Sequence, residues 1–177
     1  QLPGKFLYNK KLSHFSWFNL GGPASILFKP NNLKELSTFL KIFDKQLPIK
    51  ILGAGSNILI RDGGFKGVII KLGKAFSHIS ILKENHLIAG ASALDKNVSK
   101  FAFENSISGL EFLSCIPGSI GGALKMNSGC YGEEISKLVL SVQAIDFNGN
   151  VRVIPTSKIK FYYRGSNIEE NLIFVSC

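Results

Sequence analysis

The sequence predicts an α+β fold of mixed sheets with few helices, arranged as two lobes. Three observations carry this. Strand-length apolar runs outnumber segments of helical period along the 177 residues. The early runs alternate with one helix as β-α-β-β up to about Gly73, whereas the later ones fall into hairpins. Two glycine-rich loops, far apart in sequence, lie one in each half. Hydrophobic residues at 45% and charged residues at 19% suit a globular chain able to bury a sizeable core.

In the first lobe, residues 1–73, Gly21-Gly22-Pro23 turns the chain into a strand over 25–29. Leu33, Leu36, Leu40, Phe43 and Leu47 then recur at three and four, the helical period. Asn32 with Glu35 three residues on predicts a capping box at the start, and Pro48 marks the end. Residues 49–60 read as a strand, a tight polar turn and a second β-branched strand over 58–60. Gly67 opens a further strand to Leu72.

The second lobe, residues 74–177, begins with a hairpin of 77–82 and 86–89 around Lys83-Glu84-Asn85. An amphipathic helix over 93–105 follows, with Val98, Phe101 and Ala102 on one face, Asp95 as its cap and Gly109 past its end. A glycine-rich stretch over 115–132 carries one helical turn at 122–126. Strands at 138–146 and 151–154 form a hairpin of the Asn-Gly class. A polar-aromatic turn at 161–166 and an apolar strand at 172–176 complete the chain. That abrupt end, and a start at Gln1 without methionine, read as a trimmed piece of a larger protein.

Chemistry concentrates in the two glycine loops. Gly53-Ala54-Gly55-Ser56-Asn57 resembles the opening of a dinucleotide fingerprint, but Ile58 replaces the third glycine and no helix follows. It reads instead as a nest in which the amides of Gly55, Ser56 and Asn57 point into one concavity. In the second loop Gly118, Gly121, Gly122, Gly129 and Gly132 surround Ser119, Asn127 and Ser128, a composition suited to a wall of backbone N–H groups. No lysine lies within 53–57 or 117–122, so a P-loop is excluded and phosphate neutralisation would rest on amides. Two such loops point to an extended, phosphate-bearing cofactor.

The net charge of +9 is spread singly, with no basic run longer than Lys10-Lys11, and favours an anionic small molecule over nucleic acid. Cys115, Cys130 and Cys177 lack C-x-x-C spacing and suit reduced thiols in the cytoplasm. His14, His78 and His86 lack metal-ligand spacing, so no metal site is expected. No apolar run is long enough to predict a transmembrane helix, and no signal peptide is evident. Oligomeric state is not legible in the sequence.

Four segments, taken together, resemble the UDP-N-acetylenolpyruvoylglucosamine reductases, the MurB family of cell-wall synthesis. They are Trp17-Phe18-Asn19-Leu20-Gly21-Gly22-Pro23-Ala24, residues 52–59, residues 116–123 with 126–132, and Tyr162-Tyr163-Arg164-Gly165-Ser166. The resemblance implies FAD held between two lobes of the vanillyl-alcohol-oxidase/PCMH type, with a C-terminal substrate-binding domain after them. It also implies an oxidoreductase using NADPH and FAD to reduce the enolpyruvyl ether of a UDP-sugar to UDP-N-acetylmuramate, a peptidoglycan precursor. Arg164 would be catalytic, its forked cation facing the carboxylate onto which enolate charge builds. Tyr163 and Tyr131 would bind substrate. Leu52, Gly53, Ala54, Gly55, Ser56, Asn57 and Leu59, with Pro117, Gly118, Ser119, Gly121 and Gly122, would hold the cofactor's diphosphate and ribityl chain. Asn127, Ser128 and Gly129 would approach its ring edge.

Taken alone, Arg164 reads first as a surface residue bridging Glu169 or Glu170, and Tyr131 equally as packing over the glycine turn or as a gate for substrate. The family's proton-donating serine and late glutamate would fall after Cys177, so this chain is expected to bind FAD without completing turnover. Cys115 and Cys130 stand where the family tends to carry glycine or alanine. Two other readings are a flavin-dependent alcohol oxidase of the same superfamily, whose flavin is often tethered through His or Cys, and a non-enzymatic module for an acidic partner.

Overall fold

The computed structural model describes residues 4–177. Its first half is a sheet flanked by one helix. The strands are β1 (Lys5–Lys11) and β2 (Pro23–Lys29), then, beyond helix α1 (Leu33–Ile42), β3 (Ile49–Ile51) and β4 (Phe65–Ile70), in the order β1-β2-β4-β3. β1 runs antiparallel to β2, while β2 and β3 each run parallel to β4. The predicted cap is present, since Asn32 Oδ1 accepts the Glu35 amide at 2.9 Å. The Glu35 carboxylate reaches back one residue further than expected, to the Asn31 amide at 2.8 Å. Leu36, Phe39 and Leu40 form the buried face of the helix. It ends at Ile42, short of Pro48, because the chain turns extended at Phe43.

The strand expected at 58–60 is not formed. The Gly22 amide bonds to the Arg61 carbonyl at 3.0 Å, and Gly64 closes a turn on the same oxygen at 2.9 Å. A Cβ on Gly22 would overlap the Asp62 carbonyl. Glycine therefore lets this return segment lie against the 21–22 turn, away from the sheet. β1 carried no sequence signal, because Lys5-Phe6-Leu7-Tyr8-Asn9-Lys10-Lys11 does not alternate cleanly and forms an edge strand.

The second half opens with the predicted hairpin, β5 (Ile79–Lys83) and β6 (His86–Ala89), and continues into α2 (Asp95–Glu104). Helix α3 (Ile120–Met126) starts two residues before the expected turn. Two short strands, β7 (Gly129–Cys130) and β8 (Glu133–Glu134), pair next. β9 (Ser141–Asp146) and β10 (Val151–Pro155) form the expected hairpin, although its turn is wider than two residues. The Asp146 carboxylate accepts the Asn148 and Asn150 amides, both at 2.9 Å, and Arg152 Nη2 at 2.9 Å. β11 (Phe161–Tyr162) and β12 (Gly165–Ser166) close the aromatic turn, and β13 (Leu172–Ser176) pairs with β9.

Asp95 does not cap α2. Leu94 occupies the cap position, and Asp95 is the first helical residue, fully buried, with neither carboxylate oxygen hydrogen-bonded. Its amide is drawn to the Gly118 carbonyl at 3.2 Å, which turns the side chain beneath Gly118. Burial pushes the carboxyl pKa up to about 7.

One core cluster lies within the second half, around α3, Val98 and Val142. A second joins Phe28, Leu36, Phe39 and Ile70 to Ile145, Ile173 and Val175 of β9 and β13. The 1–73 and 74–177 portions thus share a core through α1, whose Ser37 Oγ also donates to the Gly149 carbonyl at 2.7 Å.

Candidate functional site

The 53–57 loop leaves β3 at the end of the sheet where β2 ends in Lys29 and where Lys71 follows β4. Carboxyl ends of parallel strands are where open sheets of this kind place ligands. Gly55 adopts φ +82°, and a Cβ there would overlap the Phe15 carbonyl, so only glycine fits. The Gly55 carbonyl accepts the Trp17 amide at 3.0 Å. Among the described residues, no amide from Gly53 to Asn57 donates a hydrogen bond. A turn with that many free donors is a hollow for an anion.

Charge reaches this hollow from outside the loop. Lys71 Nζ donates to the Gly53 carbonyl at 2.6 Å. Lys29 and Lys71 stand over the same Phe15 ring, at 4.8 and 5.9 Å from its centroid. Burial first, and Lys29 second, holds the Lys71 pKa below the ordinary lysine range. Two ammonium groups thus stand beside the hollow, which the expectation of neutralisation by amides alone did not include. Both lysines directly follow apolar strand runs, a signal usable only once the strands are known to lie parallel. Leu52 is core, packed with Leu12, Ala24, Leu27 and Ile69, so only its backbone can face a ligand, whereas Leu59 is exposed.

The second loop meets the first at Ser119. Its Oγ is buried and without a hydrogen-bond partner, and a Cβ on Gly53 would stand 2.9 Å from it. The amides of Ile120 and Gly121 are already spent on the carbonyls of Ala93 and Ala91, at 3.0 and 2.8 Å, and that of Gly118 on Ile116 at 2.9 Å. This corrects the expected amide wall. The segment is a knuckle that presents Ser119, with Pro117 and Gly122 exposed on either side.

Past α3, Asn127 takes a left-handed conformation, φ 43°, and is 1% exposed. Its side chain donates to Glu134 at 2.8 Å and to the Tyr162 carbonyl at 3.2 Å, and accepts the Ser136 amide at 3.2 Å. It fixes the turn instead of offering its amide to a ligand. Ser128 continues this scaffold, bonding through its backbone to Ala123 and Ile135.

Arg164, also left-handed at φ 57°, donates from Nη1 to the Gly129 carbonyl at 3.2 Å, with its guanidinium 5.1 Å from the Tyr163 ring centroid. The alternative bridge to Glu169 or Glu170 is absent among the described residues, and Glu170 pairs with Lys50 at 3.6 Å. The fold therefore carries Arg164 onto the glycine segment. Tyr163 is exposed. Tyr131, in a left-handed conformation and 87% exposed, does not pack over the turn and lines an open cavity of about 440 Å³ with Gly109, Phe112, Cys115 and Leu138. The Cys130 thiol donates to the Phe112 carbonyl at 3.3 Å. Burial, then Cys115, push its pKa up against the opposing pull of Arg164.

Comparison with known proteins agrees with this geometry. The family described as "FAD binding domain" matches residues 24–154. The UDP-N-acetylenolpyruvoylglucosamine reductase of Pelagibacter ubique is 51% identical over 99% of this chain and 58% of its own length. That of Rickettsia canadensis is 46% identical over 97% of this chain and 58% of its own. The chain thus spans 58% of the length of these curated relatives. The MurB structure from Thermus caldophilus superposes with a TM-score of 0.83 at 27% identity, covering 99% of this chain and 61% of that one. p-Cresol methylhydroxylase shares the fold alone, with a TM-score of 0.63 at 14% identity over 96% of this chain and 37% of that one. Both converging loops fall within the matched span, and the chain belongs to the FAD-binding domain family on the vanillyl-alcohol-oxidase/PCMH-type fold.

Proposed function

We propose that this chain is the FAD-holding part of a UDP-N-acetylenolpyruvoylglucosamine reductase, which uses NADPH to form UDP-N-acetylmuramate in the cytoplasm. The convergence of the free 53–57 amides with unpartnered Ser119 carries the reading. Those donors fit the diphosphate of FAD, a ligand that needs hydrogen bonds and positive charge from both sides. The chemistry that bound FAD supplies is relay of hydride from NADPH to the enolpyruvyl double bond.

The chain's own contribution is binding and charge placement. Arg164 spends one donor on the Gly129 carbonyl and keeps others for a carboxylate, where negative charge grows in the transition state. Fixing it in advance favours that state over the ground state. Asn127 holds the β11–β12 turn to the glycine segment and so sets where Arg164 stands. Exposed Tyr131 and Tyr163 flank the approach for substrate. The Cys130 thiol, its pKa raised by burial and its proton donated to the Phe112 carbonyl, is poorly suited to a cysteinyl flavin tether.

The full-length protein should be yellow and should oxidise NADPH only when the enolpyruvyl sugar is present. Arg164→Met should lower kcat about 10²- to 10³-fold while leaving the flavin spectrum intact. A colourless preparation that cannot be reconstituted with FAD overturns the reading.

A further inference from the structure

We propose that Lys71, seconded by Lys29, is the cationic arm of the cofactor site and binds the diphosphate through the open side of the 53–57 hollow; this rests on the FAD reading above. The two ammonium groups both lie against one ring, Phe15, whose carbonyl in turn packs against Gly55. Like charges brought together on a partly buried surface raise the energy of the empty site unless an anion joins them. Neither lysine pairs with a carboxylate among the described residues, where the ion pairs are Lys50–Glu170, Lys100–Glu104, Lys137–Glu133 and Arg152–Asp146. Lys71 is moreover positioned. One of its three donors is fixed on the Gly53 carbonyl, which aims the others along a loop whose amides are unspent. The depressed pKa of Lys71 agrees with an unneutralised pair, and an arriving diphosphate would restore it.

A purely structural Lys71, tying the loop to the end of β4, would act on any flavin alike. A phosphate-binding Lys71 distinguishes flavins by their phosphates. The test is therefore titration of full-length apoprotein with FAD and with riboflavin, following quenching of flavin fluorescence, for wild type, Lys71→Met, Lys29→Met and Lys71→Arg. Circular dichroism checks that each variant is folded.

Lys71→Met is expected to weaken FAD about 10- to 100-fold and leave riboflavin unchanged, with Lys29→Met smaller in effect and Lys71→Arg partly restored. Inorganic pyrophosphate should compete with FAD for wild type at lower concentration than for Lys71→Met. Equal weakening of FAD and riboflavin, or no weakening of either, overturns the proposal while leaving FAD as the ligand. Wild-type apoprotein that binds neither flavin overturns the parent reading, and this one with it.

Discussion

Gly55 shows how much of the site one residue decides. Its φ of +82° is costly for any L side chain, and a Cβ would overlap the Phe15 carbonyl beneath it. Gly55→Ala should therefore lose about 2 kcal/mol or more in urea unfolding and release FAD, while substitution at exposed Gly63 should do neither. Asp95 poses the opposite case, a buried acid without a partner. Its folded pKa of about 7 lies above its ordinary value of 3.8, so the folded state holds a proton that the unfolded state has released. The cost is absent below about pH 4, grows as pH rises towards 7 and is constant above; its ceiling is about 4 kcal/mol. Asp95→Asn should flatten stability between those values, relative to wild type. Parallel stability curves for the two proteins would remove Asp95 as their cause. In the sequence Asp95 reads as a helix cap, because propensity sees the chain neighbours and not the Gly118 segment packed over it.

At the scale of elements, the β9–β10 turn hangs on one side chain. Burial alone would raise the pKa of Asp146, but donors from Asn150, Asn148 and Arg152 outweigh it and hold the group below the usual carboxylate value. A depressed folded pKa gives stability that is present above the ordinary carboxylate range and is lost as pH falls through the folded value. Asp146→Ala should cost about 2–4 kcal/mol at pH 7 and less in acid, which denaturant titrations at two pH values would check. Elements with a local cause were legible. Helix α1 follows from its apolar period and its cap, and the β5–β6 hairpin from its polar turn at Lys83-Glu84-Asn85. The segment 58–60 is as β-branched as a strand, yet it joins no sheet and leads into Arg61, whose carbonyl takes the Gly22 amide, a contact that no local pattern encodes. The glycine loops were legible as a pair, whereas Lys29 and Lys71 belong to the site only through parallel pairing of distant strands. Arg164 emerged through likeness to a family pattern, and the structure supplied its partner, the Gly129 carbonyl.

Across the whole molecule, the two loops can face one another only if the halves that carry them are held rigidly, and α1 provides the hold. Phe39 packs at a tilt against Phe28 and Phe43, with ring centroids 4.2 and 4.9 Å away, in the cluster that also contains Ile145, Ile173 and Val175. Loss of that ring removes contacts on both sides of the residue-73 boundary at once. Phe39→Ala should therefore cost about 3–5 kcal/mol. It should also lower protection from hydrogen exchange in β4 and β9 together, because the shared cluster makes them one cooperative unit. FAD affinity should fall in parallel, although Phe39 belongs to neither loop, since a loosened core lets Gly53 and Ser119 separate. If β9 and β13 kept their protection while β2 and β4 lost theirs, the halves would be independent folding units. The approach of Ser119 to Gly53 would then need a cause other than the common core.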